Sequence, residues 1–125
     1  MLLYLTASLI LLVPRQTGDT GQRTPSAPFW AGHPTADAFS KVVDLRLAHA
    51  RKTRDRLVAA AAPRTIANTL VLYDDIQRDI DGASNEAHLI AAVHPDSAMR
   101  ATAEAAEGRA SKLGTEISLD RRIYV

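Results

Sequence analysis

Met99, Ala103, Ala106, Ala110, Leu113 and Ile117 follow one another at intervals of four, three, four, three and four residues. That spacing puts every one of them on the same face of an α-helix, and it does so for no other regular structure. Because the middle of the stripe is alanine, the backbone of this helix can come very close to a neighbour. An antiparallel hairpin with a preceding helix is the arrangement that exploits it. Asp96 or Ser97 is placed to cap the start.

Three further segments carry helical periods. A first helix begins near Thr35 or Asp37, directly after Pro34, with Phe39, Val43, Leu47, Ala50 and Leu57 on one side. Lys41, Arg46, Arg51, Arg54 and Arg56 lie mostly off that stripe and read as its solvated surface. Pro63 is expected to end the helix after the run of alanines from Ala59 to Ala62. A second helix opens near Thr65, with Ile66, Thr69, Leu70, Tyr73, Ile76 and Ile80 at helical spacing, an Asp74–Arg78 i,i+4 pair, and Gly82 as its stop. A short third segment over 85–93 groups Leu89, Ala92 and Val93 before His94-Pro95 breaks it. The first two long helices are expected to form a hairpin through Leu47, Leu57, Leu70 and Tyr73. No run of β-branched residues alternates with polar ones, so the fold class expected is all-α.

The chain divides into an apolar segment at 1–13, a Pro-, Gly-, Ser- and Thr-rich linker at 14–34, and a helical domain at 35–125, the N-terminal segment being expected to be disordered. Residues 1–13 fall short of the roughly 20 that a membrane-spanning helix requires. Their length suits an export signal, although no Lys or Arg precedes them and Pro28 makes Pro25-Ser26-Ala27 a poor cleavage site. As a signal they imply a periplasmic or secreted protein; as a buried helix or a mistaken start they imply a cytoplasmic one. Phe29-Trp30 is an aromatic pair that either pins the linker to its own domain or docks on a partner.

With 125 residues there is room for one ordinary domain, and only 5% of them are aromatic, which favours thin, closely packed helices. Basic and acidic side chains number 15 and 14 and are interspersed, leaving no electrostatic footprint for nucleic acid. Without cysteine there is no disulfide, thiolate zinc site, iron–sulfur cluster or thiol nucleophile. None of His33, His49, His88 and His94 is followed by Glu, so H-E-x-x-H is missing. His88, His94 and Asp96 form the single arguable ligand cluster, and Pro95 splays it. Asp74 and Asp75 diverge by about 100° on a helix and read as a solvated pair rather than a proton-sharing one. Nucleophile-elbow, P-loop and dinucleotide turns do not occur. No catalytic, cofactor-binding or metal-ligating residue is therefore assigned.

From about Ala50 to Tyr124, about three-fifths of the chain, the sequence resembles the N-terminal helical region of the thimet oligopeptidase and neurolysin family of zinc metallopeptidases. The residues that carry the likeness are Asn68-Thr69-Leu70 with Tyr73-Asp74, then Val93-His94-Pro95-Asp96 followed by Met99-Arg100. The Ala-rich helix to Leu113, Thr115 to Leu119, and Arg122-Ile123-Tyr124 complete it. The resemblance implies a helical wall of a larger, channel-type fold that admits short unstructured peptides. It places Zn²⁺ in a later catalytic domain bearing H-E-x-x-H and a downstream Glu, residues with no counterpart here. On this reading the chain is truncated before its partner domain, inactive alone, and left with an uncovered apolar face at Met99, Leu113, Ile117 and Ile123. The rival reading is a free-standing exported helical-bundle interaction module. A small enzyme of other chemistry would need convergent polar groups that the inventory does not offer.

Overall fold

The computed structural model describes residues 29–32 and 35–124. The proposed export signal and nearly all of the linker lie outside the described residues. Three long helices, α1 (Ala36–Val58), α2 (Val71–Val93) and α3 (Ser97–Ser118), make up the body, and no strand occurs among the described residues. A 3-10 turn at Phe29–Gly32 precedes α1, a π-turn at Ile66–Leu70 leads into α2, and a second 3-10 turn at Arg121–Ile123 follows α3. No described helix is long and apolar enough to cross a membrane.

Helices α1 and α3, and the π-turn that leads into α2, each start where a side chain can satisfy free N–H groups. The Thr35 hydroxyl accepts from the Ala38 N–H at 3.1 Å, and the Asp96 carboxylate accepts from the Ala98 N–H at 2.8 Å. At Thr65 the cap is reciprocal: its hydroxyl accepts from the Asn68 N–H at 3.2 Å while Asn68 Oδ1 accepts from the Thr65 N–H at 2.6 Å. Helix α1 ends at Val58, four residues ahead of the expected stop: Ala59 caps it with a helical backbone, the Ala60 N–H closes a last turn on the Leu57 carbonyl at 3.2 Å, and the remaining alanines leave the helix before Pro63.

All five stripe residues of α1 and all six of α3 are buried, as their spacing requires. The burial of Met99, Leu113, Ile117 and Ile123 corrects the expectation of an uncovered face. With all three helices in register, each apolar stripe meets the other two and the core closes on itself.

Helix α2 departs from the sequence reading in two ways. It runs unbroken through Gly82 to Val93, so the separate segment at 85–93 does not exist. Gly82 has a helical backbone, with no positive φ, and sits against α1: a Cβ built there would lie 3.7 Å from Arg46 Nη1. A stop signal is overridden here by packing. The buried stripe is Leu72, Ile76, Ile80, Ala83, Ala87 and Ile90. Leu70 stands about 200° from Leu72 at helical pitch, so it points away from the core. Ile66, Leu89 and Val93 are likewise exposed, and the expected contacts through Leu70 and through Leu89, Ala92 and Val93 are replaced by those of Leu72, Ala87 and Ile90.

The alanine stripe of α3 faces α2, on which Ala83 and Ala87 are also fully buried. Gly114 also faces α2, where a Cβ would meet Ile80 Cγ2 in ordinary van der Waals contact at 3.6 Å. These helices are joined by a three-residue connector, which makes them antiparallel neighbours. Arg100 fastens the connector by donating from Nη1 to the His94 and Pro95 carbonyls at 2.7 and 3.0 Å.

Gly82→Ala separates a helix interior from a helix end. The continuous helix predicts a gain of about 0.5–1 kcal/mol in denaturant unfolding, and a loss would mean that the helix stops there. Ala106→Leu, which overfills the alanine stripe, is expected to cost about 1–3 kcal/mol in the same measurement.

Candidate functional site: an apolar recess at one end of the bundle

The carboxyl ends of α1 and α3 and the entry to α2 meet at one end of the molecule. The π-turn spreads the first residues of α2 before regular α-helical pitch resumes at Val71. The Arg121–Ile123 turn packs back on α1 from the other side. Between them lies a recess of about 290 Å³ lined by Leu57, Thr69, Leu70, Tyr73, Ile123 and Tyr124. Two of its apolar lining residues are open to solvent: Leu70 is 61% exposed and Tyr124 64%.

Polar side chains lining the recess are few. Gln77 Nε2 donates to Tyr73 Oη at 3.2 Å. Burial, followed by a hydrogen bond with Tyr124, raises the Tyr73 phenol above its ordinary pKa, so Tyr73 is neutral across the physiological range. Asp120 caps the 3-10 turn and grips Arg122 through both oxygens, 2.8 Å to Nε and 2.7 Å to Nη2. That hydrogen bonding holds the Asp120 carboxyl below the usual carboxylate range and the Arg122 guanidinium above its own. Weaker attractions, Arg54 on Asp120 and Asp55 on Arg122, show the turn lying against the end of α1.

The histidines singled out in the sequence are dispersed. His88 Nδ1 lies 3.2 Å from Glu107 Oε1 on α3, and His49 Nδ1 lies 2.6 Å from Asp79 Oδ2 on α2. The His94 ring meets Trp30 edge-on at 5.3 Å between centroids and accepts from the Asp96 N–H at 3.1 Å. Trp30 thus packs on the helical body and holds the Phe29–Gly32 turn against it. Of the arguable ligand cluster, His94 and Asp96 remain together through a cap and His88 is drawn off to α3. His33 lies outside the described residues. Among the described residues no group of three His, Asp or Glu side chains could hold a metal ion, so the donor set does not fit Zn²⁺. Asp74 and Asp75 share Arg78, at 3.6 and 2.7 Å, on the exposed face of α2.

The recess was not visible in the sequence. Its signal is a mismatch of phase: Leu70 and Ile66 fall outside the stripe set by Ile76 and Ile80. No family model matches the chain, and neither the curated proteins nor the solved structures contain a match to it.

Asp120 gives a pH test of this end. A depressed carboxyl contributes stability that is present above about pH 4, its unfolded value, and is lost as pH falls through the lower folded value. Asp120→Asn keeps the capping oxygen but not the charge. It should reduce the stability lost between neutral and strongly acidic pH, measured by urea unfolding, and NMR should show Asp120 titrating below about 3.9.

Proposed function

We propose that this chain is a non-catalytic helical scaffold, the channel-wall portion of a zinc-dependent oligopeptidase that hydrolyses short peptides, and inactive alone. One observation carries the reading: the polar residues that give the resemblance are spent on architecture. Asn68 completes the cap at Thr65 and donates from Nδ2 to the Pro63 carbonyl at 3.2 Å. His94, Pro95, Asp96 and Arg100 build the α2–α3 connector, and Arg122 closes the final turn on Asp120. These are the parts a rigid wall needs, and none converges on a substrate atom. In such an enzyme the metal lowers the pKa of its water to about 7 and a Glu takes the proton, while exclusion of folded chains falls to remote walls. The zinc chemistry belongs to a partner catalytic domain.

A closed core favours a second reading, the free-standing helical interaction module. Met99, Leu113, Ile117 and Ile123 are covered by the chain's own helices, so the bundle has the means to fold without a partner domain.

Metal analysis of the purified chain and a quenched-fluorescent peptide assay are expected to give substoichiometric zinc and no turnover. Chelator-sensitive zinc with turnover would overturn the scaffold role. The DNA encoding the region after codon 125 decides between the two readings: H-E-x-x-H in one of its frames supports the peptidase wall, and its absence from all three supports the module.

A further inference from the structure

Charge is not spread evenly over the helical body. The 14 residues from 51 to 64 hold Arg51, Lys52, Arg54, Arg56 and Arg64 against the single acid Asp55, although the whole chain has a net charge of only +1. Leu57 in this stretch lines the recess; at helical pitch Arg51 and Lys52 fall on the far side of α1 from Leu57, whereas Arg56 is its neighbour and Arg64 lies in the connector into the π-turn. Arg121 and Arg122 add two more cations where the last turn packs on α1. Arg54 and Arg122 are neutralised by Asp55 and Asp120. Arg51, Lys52, Arg56, Arg64 and Arg121 have no ion pair among the described residues.

We infer that this end of the bundle is a docking site for an acidic amphipathic peptide segment of a partner protein, with one or two large apolar side chains seated between Leu57, Leu70 and Tyr124 and carboxylates set against the unpaired cations. Three features select that occupant. A volume of about 290 Å³ is at the lower limit for a drug-sized ligand and suits anchoring side chains. The unpaired cations Arg56, Arg64 and Arg121 outnumber Glu116, the exposed acid in the last turn of α3, so the net charge around the recess is positive, which attracts a partner of the opposite sign and steers its approach. A second copy docking the same face would bring like cations together, because a two-fold contact pairs a patch with itself. The six lining residues enclose a recess rather than present a flat apolar plane, which favours an anchoring side chain over a lipid surface. This inference stands on the recess and its charges and does not require the peptidase reading.

The test uses the full chain and a short fluorescein-labelled helical peptide with Leu at i, i+3, i+4 and i+7 and Glu elsewhere, alongside a counterpart with Lys in place of Glu. Fluorescence anisotropy should show submillimolar binding of the Glu peptide, weakened by added salt, and at least about tenfold weaker binding of the Lys peptide. Leu70→Glu, and separately the combined Arg56→Glu, Arg64→Glu and Arg121→Glu, should each weaken the Glu peptide by about tenfold or more. All four side chains are exposed, so circular dichroism should be unchanged; the salt dependence of the unaltered chain is read independently of both variants. Equal binding of the two peptides, no binding of either, or full affinity in the charge-reversed variant would overturn the inference. Sedimentation with phosphatidylglycerol vesicles in the absence of Glu-peptide binding would also overturn it and assign the patch to a lipid surface.

Discussion

The close approach of α2 and α3 is the constraint on which the molecule depends. Ala83 and Ala87 on one helix and Ala103, Ala106 and Ala110 on the other are fully buried. Alanine contributes little apolar area, so the stability of this seam comes from dense backbone-to-backbone packing. The bulk is supplied elsewhere: Phe39, Leu47 and Leu57 reach in from α1, and Ile76, Ile90 and Leu113 fill the space left at the flanks. A narrow seam backed by a bulkier third helix explains how a chain so poor in aromatics still closes a core.

Polar contacts tie every pair of helices. Arg46 Nη1 meets Glu86 Oε2 at 2.7 Å between α1 and α2, with the His49–Asp79 contact on the same seam. Arg109 spans α3 to α1, donating to Asp44 at 3.1 Å and to the Ser40 hydroxyl at 3.1 Å, while His88 and Glu107 join α2 to α3. Such partly exposed pairs each contribute about 1 kcal/mol or less. They add far less to stability than the buried stripes do.

What could be read from the sequence followed the strength of the period. In α1 and α3 every apolar residue named for the stripe is buried, because a single phase runs the length of each helix and nothing competes with it. In α2 two phases overlap near the start, and the choice between Leu70 and Leu72 is settled by which lies in line with Ile76, Ile80 and Ala83. Gly82 misled for a related reason: its propensity cost as a helix residue is about 1 kcal/mol, less than the packing on either side supplies. The recess was illegible because it forms where three chain segments distant in sequence converge. Its charge escaped notice because interspersed signs along the chain say nothing about which cations the fold leaves unpaired.

The ring of polar contacts between helices bears on chirality. Three helices in this order can close in two mirror-related ways, with the third helix on either side of the hairpin made by the first two. Smooth stripes of alanine and leucine distinguish those arrangements poorly, since either brings apolar faces together. Arg109 does distinguish them: the opposite closure would carry it away from Asp44 and Ser40 and leave the flanking charges mismatched. The handedness of the bundle is thus specified on its surface, by contacts whose value lies in excluding the mirror topology.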